Sequence, residues 1–543
     1  MANQWIRANL AAARWPMVTE LAGRSIIVRG ADMTYDSSIV STDETRDRGL
    51  PQIIYLHNCM PTASGIQSIG YDLTLSALPG ATDFDAVFPI FTPSLNRFLF
   101  VPAAGKNYIY DATVAAWASV SPLAPGTVAQ NVLVTTAFLR NQTYIYYSGN
   151  GCYIYNDTTK LLVSTALTGL TLSTTRGLCA ANGYLIAWSD TDVAWSNLTT
   201  PTDFAPSLVT GAGGGTIQDA KGKILFCLPI SGGFLIYCEQ NVVAAKYSGN
   251  IQFPFIFVEI PGSAGVTTPE RVSWQANSPE HYAWTGSGLQ KLDKNSSTQV
   301  FPEITDFLSG LIYEDFDEAA LAFTTTYLST PLRVKLTVIG TRYLVISYGQ
   351  SAALYTYALC YDITLQRWGK FKIDHVDCFQ WNFPNIFGVL TYGQLNMTIG
   401  SLGDQTTYGD FSTSLANPTI AKKLLAFLQN DGTVKIVNFD FSETTANGVC
   451  VLGKFQLNRN RLVIHQESHV ETARTAVNKF SFYLLPSLLG KDFDPAVTPF
   501  RNLTTSKLSV YGRRVTATNF SSLFIGAFDL TSYIMNLNLG GQE

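Results

Sequence analysis

Tyr361-Asp-Ile-Thr-Leu-Gln-Arg-Trp-Gly-Lys-Phe371 reads as a β-hairpin whose register is set in two ways. Ala358 to Tyr361 alternates toward a strand, Asp362 to Gln366 supplies a polar turn, and Trp368 anchors the returning strand. Turn chemistry decides which residues stand opposite one another, and the aromatic decides which face is buried. The pattern recurs. Gly105 to Asp111 precedes Trp117, and Gly151 to Asp157 precedes Leu161 to Val163. Gly183 to Asp190 runs into Val193 to Trp195, and Gly233 to Tyr237 runs into Val242 and Val243. These starts fall roughly 30 to 50 residues apart, the period of four-stranded units arranged radially. Each unit then reads as a blade of a β-propeller, with Tyr361 to Phe371 the outer half of one blade. Less even spacing after residue 260 makes the expected propeller irregular.

Composition points the same way. At 543 residues the chain can bury a large core, and 12% aromatics with 42 glycines favour strands and tight turns, so the expected class is all-β. Charged residues make up 14%, against about 25% in an ordinary soluble domain. Either much of the outside is hidden against other subunits, or the surface is Ser, Thr, Asn and Gln. A net charge of −4 with no Lys/Arg cluster argues against a dedicated nucleic-acid binder, which must neutralise phosphates. The run Ile224 to Cys238 is broken by Pro229, Ser231, Gly232 and Gly233 and is too short to span a bilayer. Met1 to Arg7 leads into no continuous apolar segment, so no secretory signal is expected and synthesis is placed in a cytoplasm. The eight cysteines contain no C-x-x-C and sit in apolar, strand-like runs, which predicts buried thiols instead of disulfides or zinc ligands.

Three segments follow from the rhythm: 1–84 and 456–543, which lack the blade pattern, flank a propeller-like 85–455. Ala2 to Arg14 is expected to be a short helix and Ser25 to Gly30 a strand. Asp43 to Arg48 is the most charged stretch, either a solvated turn or an ion-pairing contact between subunits. Thr305 to Phe323 is the expected helix, with Asp306 as cap and Leu308, Leu311 and Ile312 at helical spacing. Its acidic group, Glu314, Asp315, Asp317 and Glu318, lacks the order of a calcium loop and reads as a solvated face. Leu424 to Gln429 and Thr433 to Phe439, joined by Asn430-Asp-Gly432, form a hairpin.

Catalytic patterns are scarce. Gly211 to Gly215 fits no phosphate-binding loop and reads as a flexible turn, and no G-x-S-x-G elbow is present. His465, Glu467, His469 and Glu471 would share one face of a strand, where they could hold a metal or simply form a polar surface; the second reading is adopted. No catalytic, cofactor or metal residue is assigned. Paired carboxylates across blades could still make a glycosidase, and Trp and Tyr rims a glycan-binding protein.

This succession resembles that of one family. Val193 to Ser196, Pro201 to Phe204, the glycine run, Ile217 to Asp219, Phe234 to Tyr237, Tyr247 to Gly249 and Phe253 to Phe257 resemble in order the propeller of tail nozzle proteins (tail tubular protein B-like) of short-tailed bacteriophages. Gly262 to Pro269, Tyr361-Asp362 and Trp368 continue the likeness, which covers about 180–375, and Asn58 to Tyr71 looks like the family's early strand pair. The resemblance implies a structural virion protein and not an enzyme. It implies a homohexameric ring below a head-to-tail adaptor, bearing fibres or spikes, with a channel that passes viral DNA without sequence-specific binding. It also implies a β platform built from the chain ends. Mild acidity suits a conduit that must not grip DNA, and ring interfaces suit the low charge.

Overall fold

The computed structural model describes residues 24–29, 53–120, 133–381, 424–438, 447–456, 463–472, 479–487, 501–503 and 507–539, apart from short gaps at 64, 80–83, 85, 95–96, 104–105, 112–115, 274–277, 309–311, 318–321, 328–332, 350–353 and 518. The described chain is all-β, built mainly of four-stranded antiparallel sheets, consistent with a propeller-like fold.

Seven four-stranded units follow one another. The first comprises Phe88–Phe91, Arg97–Ala103, Lys106–Asp111 and Ala116–Val120; the second Val134–Leu139, Gln142–Tyr147, Gly151–Asn156 and Leu161–Thr165. The third comprises Gly177–Ala181, Tyr184–Trp188, Asp192–Trp195 and Gly213–Thr216; the fourth Ile224–Ile230, Gly233–Cys238, Val242–Tyr247 and Phe255–Glu259. The fifth comprises Val272–Ser273, His281–Thr285, Gly288–Leu292 and Ser297–Gln299; the sixth Arg333–Ile339, Tyr343–Gly349, Tyr355–Asp362 and Arg367–His375. The seventh takes Asp377–Trp381, Leu424–Leu428 and Val434–Asn438, and its fourth strand is Gly70–Leu75 from near the start of the chain.

Each sheet packs face to face on the next. Phe100 and Ile109 of the first share a core with Ile145 and Tyr147 of the second, and Tyr146 and Cys152 share another with Leu185 and Ala187 of the third. One core joins Trp188, Ile236 and Ala283 across the third, fourth and fifth. Trp284 meets Leu336, Leu359 and Trp368 of the sixth, and Phe371 meets Leu425 and Phe427 of the seventh. Trp381 of the seventh packs with Tyr108 and Tyr110 of the first, so the series returns to its beginning. All eight cysteines are buried free thiols, six of them in these strands and Cys59 and Cys450 in the chain-end sheets.

The chain ends build two further sheets. Beyond Arg367–His375 the sixth unit continues through Cys59–Pro61, Ile66–Ser68, Asp529–Leu539, Val463–Thr472 and Lys507–Ala517, with Arg24–Arg29 paired to Asp529–Leu539, making ten strands in all. Ile53–His57, Gly448–Gln456, Asn519–Ala527, Lys479–Ser487 and Arg501–Leu503 form a five-stranded sheet. Phe482, Phe524 and Phe528 enter the same core as Trp284 and Trp368, so chain ends and middle are packed as one body.

The organising hairpin forms as its turn chemistry requires. Tyr361 stands opposite Trp368 with ring centroids 4.8 Å apart, and Phe301 closes on Trp368 at 5.3 Å. Asp362 Oδ1 accepts from the main-chain N–H groups of Thr364 and Leu365 at 2.9 and 3.0 Å, while Oδ2 accepts from Arg342 Nε at 2.9 Å. Gln366 turns the chain at φ 55°. Asn430-Asp-Gly432 likewise joins Leu424–Leu428 to Val434–Asn438.

Three expectations are corrected. The helix spans Pro302–Leu308, with Pro302 in its first turn, instead of running on to Phe323. Ile312–Asp317 and Ala322–Tyr327 then pair as a hairpin, because aromatic and β-branched residues such as Tyr313, Phe316, Phe323 and Thr324 to Thr326 favour a strand over the helical spacing of Leu308 and Ile312. Gly213–Thr216 is the fourth strand of the third sheet and not a flexible turn. The indole of Trp195 covers it, so a Cβ on Gly213 would lie 3.2 Å from that ring. The repeat was also read one strand out of register: Lys106–Asp111, Gly151–Asn156 and Tyr355–Asp362 are third strands, whereas Tyr184–Trp188 and Gly233–Cys238 are second strands. Ala2 to Arg14 and Asp43 to Arg48 lie outside the described residues.

Candidate functional site

A group of four ionisable side chains, Asp377 buried and Glu270, Arg333 and Lys335 partly buried, lies where the fifth, sixth, seventh and first sheets meet. Short-range structure places each member. Glu270 sits in the short 3-10 turn Pro269–Arg271 that leads into the fifth sheet; Arg333 and Lys335 are two apart, hence on one face, of the strand opening the sixth; Asp377 opens the seventh.

Arg333 Nη2 lies 3.0 Å from Glu270 Oε1, and Tyr355 donates its hydroxyl to Glu270 Oε2 at 2.9 Å. The Arg333 guanidinium also stands 4.5 Å over the Tyr355 ring. Lys335 pairs with Asp377 Oδ1, while the Val87 N–H donates to Asp377 Oδ2 at 2.6 Å. Burial alone would push the Glu270 carboxyl up, but Lys335 and Arg333 outweigh it and hold the group below its usual range. Burial would likewise lower Lys335, and Asp377 with Glu270 raise it instead. Burial raises Asp377, opposed by Lys335 and by the N–H groups of Val87 and Cys378. Two cations and two carboxylates therefore balance within a few ångströms.

His375 adjoins this group. Its Nδ1 faces the Ile373 carbonyl at 2.7 Å and Nε2 faces Ser347 Oγ at 2.8 Å. Full burial pushes its pKa down to about 3, so the ring is neutral, donating to Ile373 and accepting from Ser347. Ser347 and His375 are both sealed from solvent, so their Ser–His hydrogen bond is placed to brace two strands and not to meet a substrate. His281 repeats the device in the fifth sheet, against Tyr237 Oη at 2.8 Å and the Pro229 carbonyl at 3.0 Å, with a pKa lowered to about 4 by burial.

The residues singled out from the sequence lie elsewhere. His465, Glu467, His469 and Glu471 fall on Val463–Thr472, hydrogen-bonded on both edges to Lys507–Ala517 and Asp529–Leu539. The pairing shifts between His465 and Glu467, so the unbroken alternation that would align all four does not hold. Glu314, Asp315 and Asp317 lie in a strand paired residue for residue with Ala322–Tyr327. Among the described residues no group of three or more His, Cys, Asp or Glu is placed to hold a metal, and no helix is long and apolar enough to cross a membrane. Sequence reasoning missed the Glu270–Arg333–Lys335–Asp377 group; its signal was the pair Arg333-x-Lys335 inside an otherwise apolar strand.

No family model matches the chain, and no curated protein matches it. Among solved structures, one match is titled "Crystal Structure of Mitotic Checkpoint Complex"; it is 10% identical, spans 68% of this chain and 92% of that chain, and has a TM-score of 0.37.

Proposed function

We propose that the chain is a structural ring subunit of a virion, a tail nozzle of a short-tailed bacteriophage, in which the seven sheets are blades of a propeller and the chain-end sheets form a platform. The ring is homohexameric, sits between an adaptor and fibre or spike proteins, and encloses the path of the genome. The observation that carries the structural half of this reading is the make-up of the seven opening strands. They hold three charged side chains, Arg333, Lys335 and Asp377, and each is bound in the balanced group with Glu270. In a propeller these strands surround the axis, where a glycosidase or glycan-binding protein would present free polar groups. Here the charged side chains of these strands are mutually satisfied, which supports a rigid building block over a ligand site. The ten-stranded sheet supports the same reading: it ties platform strands from both chain ends to the sixth sheet through one hydrogen-bonded body.

Imaging the purified full chain by negative stain tests this directly. Rings with a central opening are expected; a monodisperse monomer that binds or cleaves glycan would replace the reading with the glycan one. Within the ring reading, Arg46→Glu with Arg48→Glu is expected to impair ring closure, since the charged loop is the proposed contact. Deleting residues 1 to 60 is a poorer test, because it also removes Arg24–Arg29 and Ile53–His57 from their sheets.

A further inference from the structure

Among residues whose exposure is described, every large exposed hydrophobic lies between Phe138 and Val258. Four of the five most exposed stand on two touching turns, the fifth being Ile256 in the strand that follows the second. Leu208 and Val209, 69% and 91% exposed, crown the connection between the last two strands of the third sheet; Ile251 and Phe253, 50% and 67% exposed, crown the equivalent connection of the fourth. The turns abut so closely that a Cβ on Gly211 would lie 2.8 Å from the Ile251 carbonyl oxygen.

Three features of this tip narrow what it meets. Neither Ser207 to Gly211 nor Ser248 to Pro254 contains an ionisable residue. Both turns also satisfy much of their own main chain. Ser207 N–H donates to the Ala212 carbonyl at 2.9 Å, Gly211 N–H to the Ser207 carbonyl at 3.0 Å, and Ser248 N–H to the Pro254 carbonyl at 2.8 Å. Asn250 N–H donates to Ser248 Oγ at 3.0 Å and Gln252 N–H to Asn250 Oδ1 at 2.9 Å. Such closure leaves fewer main-chain donors and acceptors stranded when the tip enters an apolar phase. Thirdly, cations flank the base of the second turn. Lys246 Nζ lies 2.8 Å from Asn295 Oδ1, and Lys294 Nζ lies over Gly232, whose carbonyl accepts from Tyr247 N–H at 3.1 Å. The neighbouring Asp293 carboxylate is engaged by its own turn, accepting from the N–H groups of Asn295 and Ser296 at 2.6 and 2.8 Å.

We propose that this paired tip inserts into the interfacial layer of a lipid bilayer, Leu208, Val209, Ile251 and Phe253 entering the acyl boundary and Lys246 and Lys294 resting at the headgroups. The inference is independent of the ring reading.

Flotation of the full chain with vesicles tests it, using phosphatidylcholine alone and equal parts phosphatidylcholine and phosphatidylglycerol. The protein is expected to float with both, more with the anionic vesicles. Val209→Asp with Phe253→Asp, shown to be folded by circular dichroism, is expected to lower partitioning about tenfold or more. Leu161→Asp, at an exposed apolar position on another sheet, is expected to leave it unchanged. Failure of the parent chain to float, equal flotation of the double variant, or equal loss in Leu161→Asp would overturn the proposal. So would a parent chain that self-associates without lipid and a double variant that does not, which would assign the tip to a second copy of the chain.

Discussion

Asp377 Oδ2 accepts a hydrogen bond from the Val87 main-chain N–H at 2.6 Å, tying the residue that opens the seventh sheet to the one just before the first. The same carboxylate holds Lys335, so one side chain fastens three sheets. Asp377→Ala is expected to lower stability by about 3 to 5 kcal/mol, since it strands a buried ammonium and a main-chain donor. Lys335→Met added to Asp377→Ala should recover part of that loss. Urea unfolding of the single and double variants measures both, and additive losses would show that the pair is not coupled.

Two buried imbalances set the acid side of the stability profile. His375 and His281 have folded pKa values of about 3 and about 4, below the unfolded value of about 6.5. The unfolded chain therefore binds protons first. The stabilising contribution is complete above pH 6.5 and is lost as pH falls toward the folded values. By pH 4.5 each imidazole should cost roughly 2 to 3 kcal/mol. His375→Asn and His281→Gln should each be less stable at pH 7 but show a shallower decline between pH 6.5 and 4.5 in denaturant titrations.

Trp368 is buried between Tyr361 and Phe301 in the core that joins the fifth and sixth sheets to the chain ends. Trp368→Ala is expected to cost about 3 to 5 kcal/mol. A change under about 1 kcal/mol in the unfolding midpoint would contradict the packing described.

Asp362 combines two tasks that substitution separates. Asp362→Asn keeps an oxygen for the Thr364 and Leu365 N–H groups but loses the charge that holds Arg342, whereas Asp362→Ala loses both. The expected order of thermal stability is therefore Asp, Asn, Ala, with Ala lowest by about 2 to 4 kcal/mol. Equal losses for Asn and Ala would show that the turn bonds contribute nothing.

Much of the middle of the chain was legible because its signals are local. A polar turn between apolar strands declares a hairpin, as at Asp362 and at Asn430-Asp-Gly432. What local signals do not carry is which strand of a sheet a hairpin belongs to. Tyr108 to Tyr110 and Leu185 to Trp188 look alike in sequence because both are buried and aromatic, yet one is a third strand and the other a second. The glycine strand Gly213–Thr216 was hidden for the opposite reason: its first three residues bring no side chain, and Trp195 supplies their cover from a neighbouring strand. Pairings such as Val434 with Leu75, and the meeting of Glu270 with Arg333 and of Lys335 with Asp377, join residues distant in the chain. No periodicity reports them.

The pairing of Gly70–Leu75 with Val434–Asn438 also has a consequence for biogenesis. The early strand leaves the ribosome with no partner, and its partner is synthesised only after most of the chain has followed. At elongation speeds of about 5 to 20 residues per second that wait is roughly 20 to 70 s. Through that interval six sheets can form by local pairing while the seventh has nothing to pair against, leaving an open strand edge in a crowded cell. Nascent chains stalled before residue 434 should therefore be protease-sensitive at 70–75 and prone to aggregate, and that strand should become protected only after release of the stall lets Val434–Asn438 emerge.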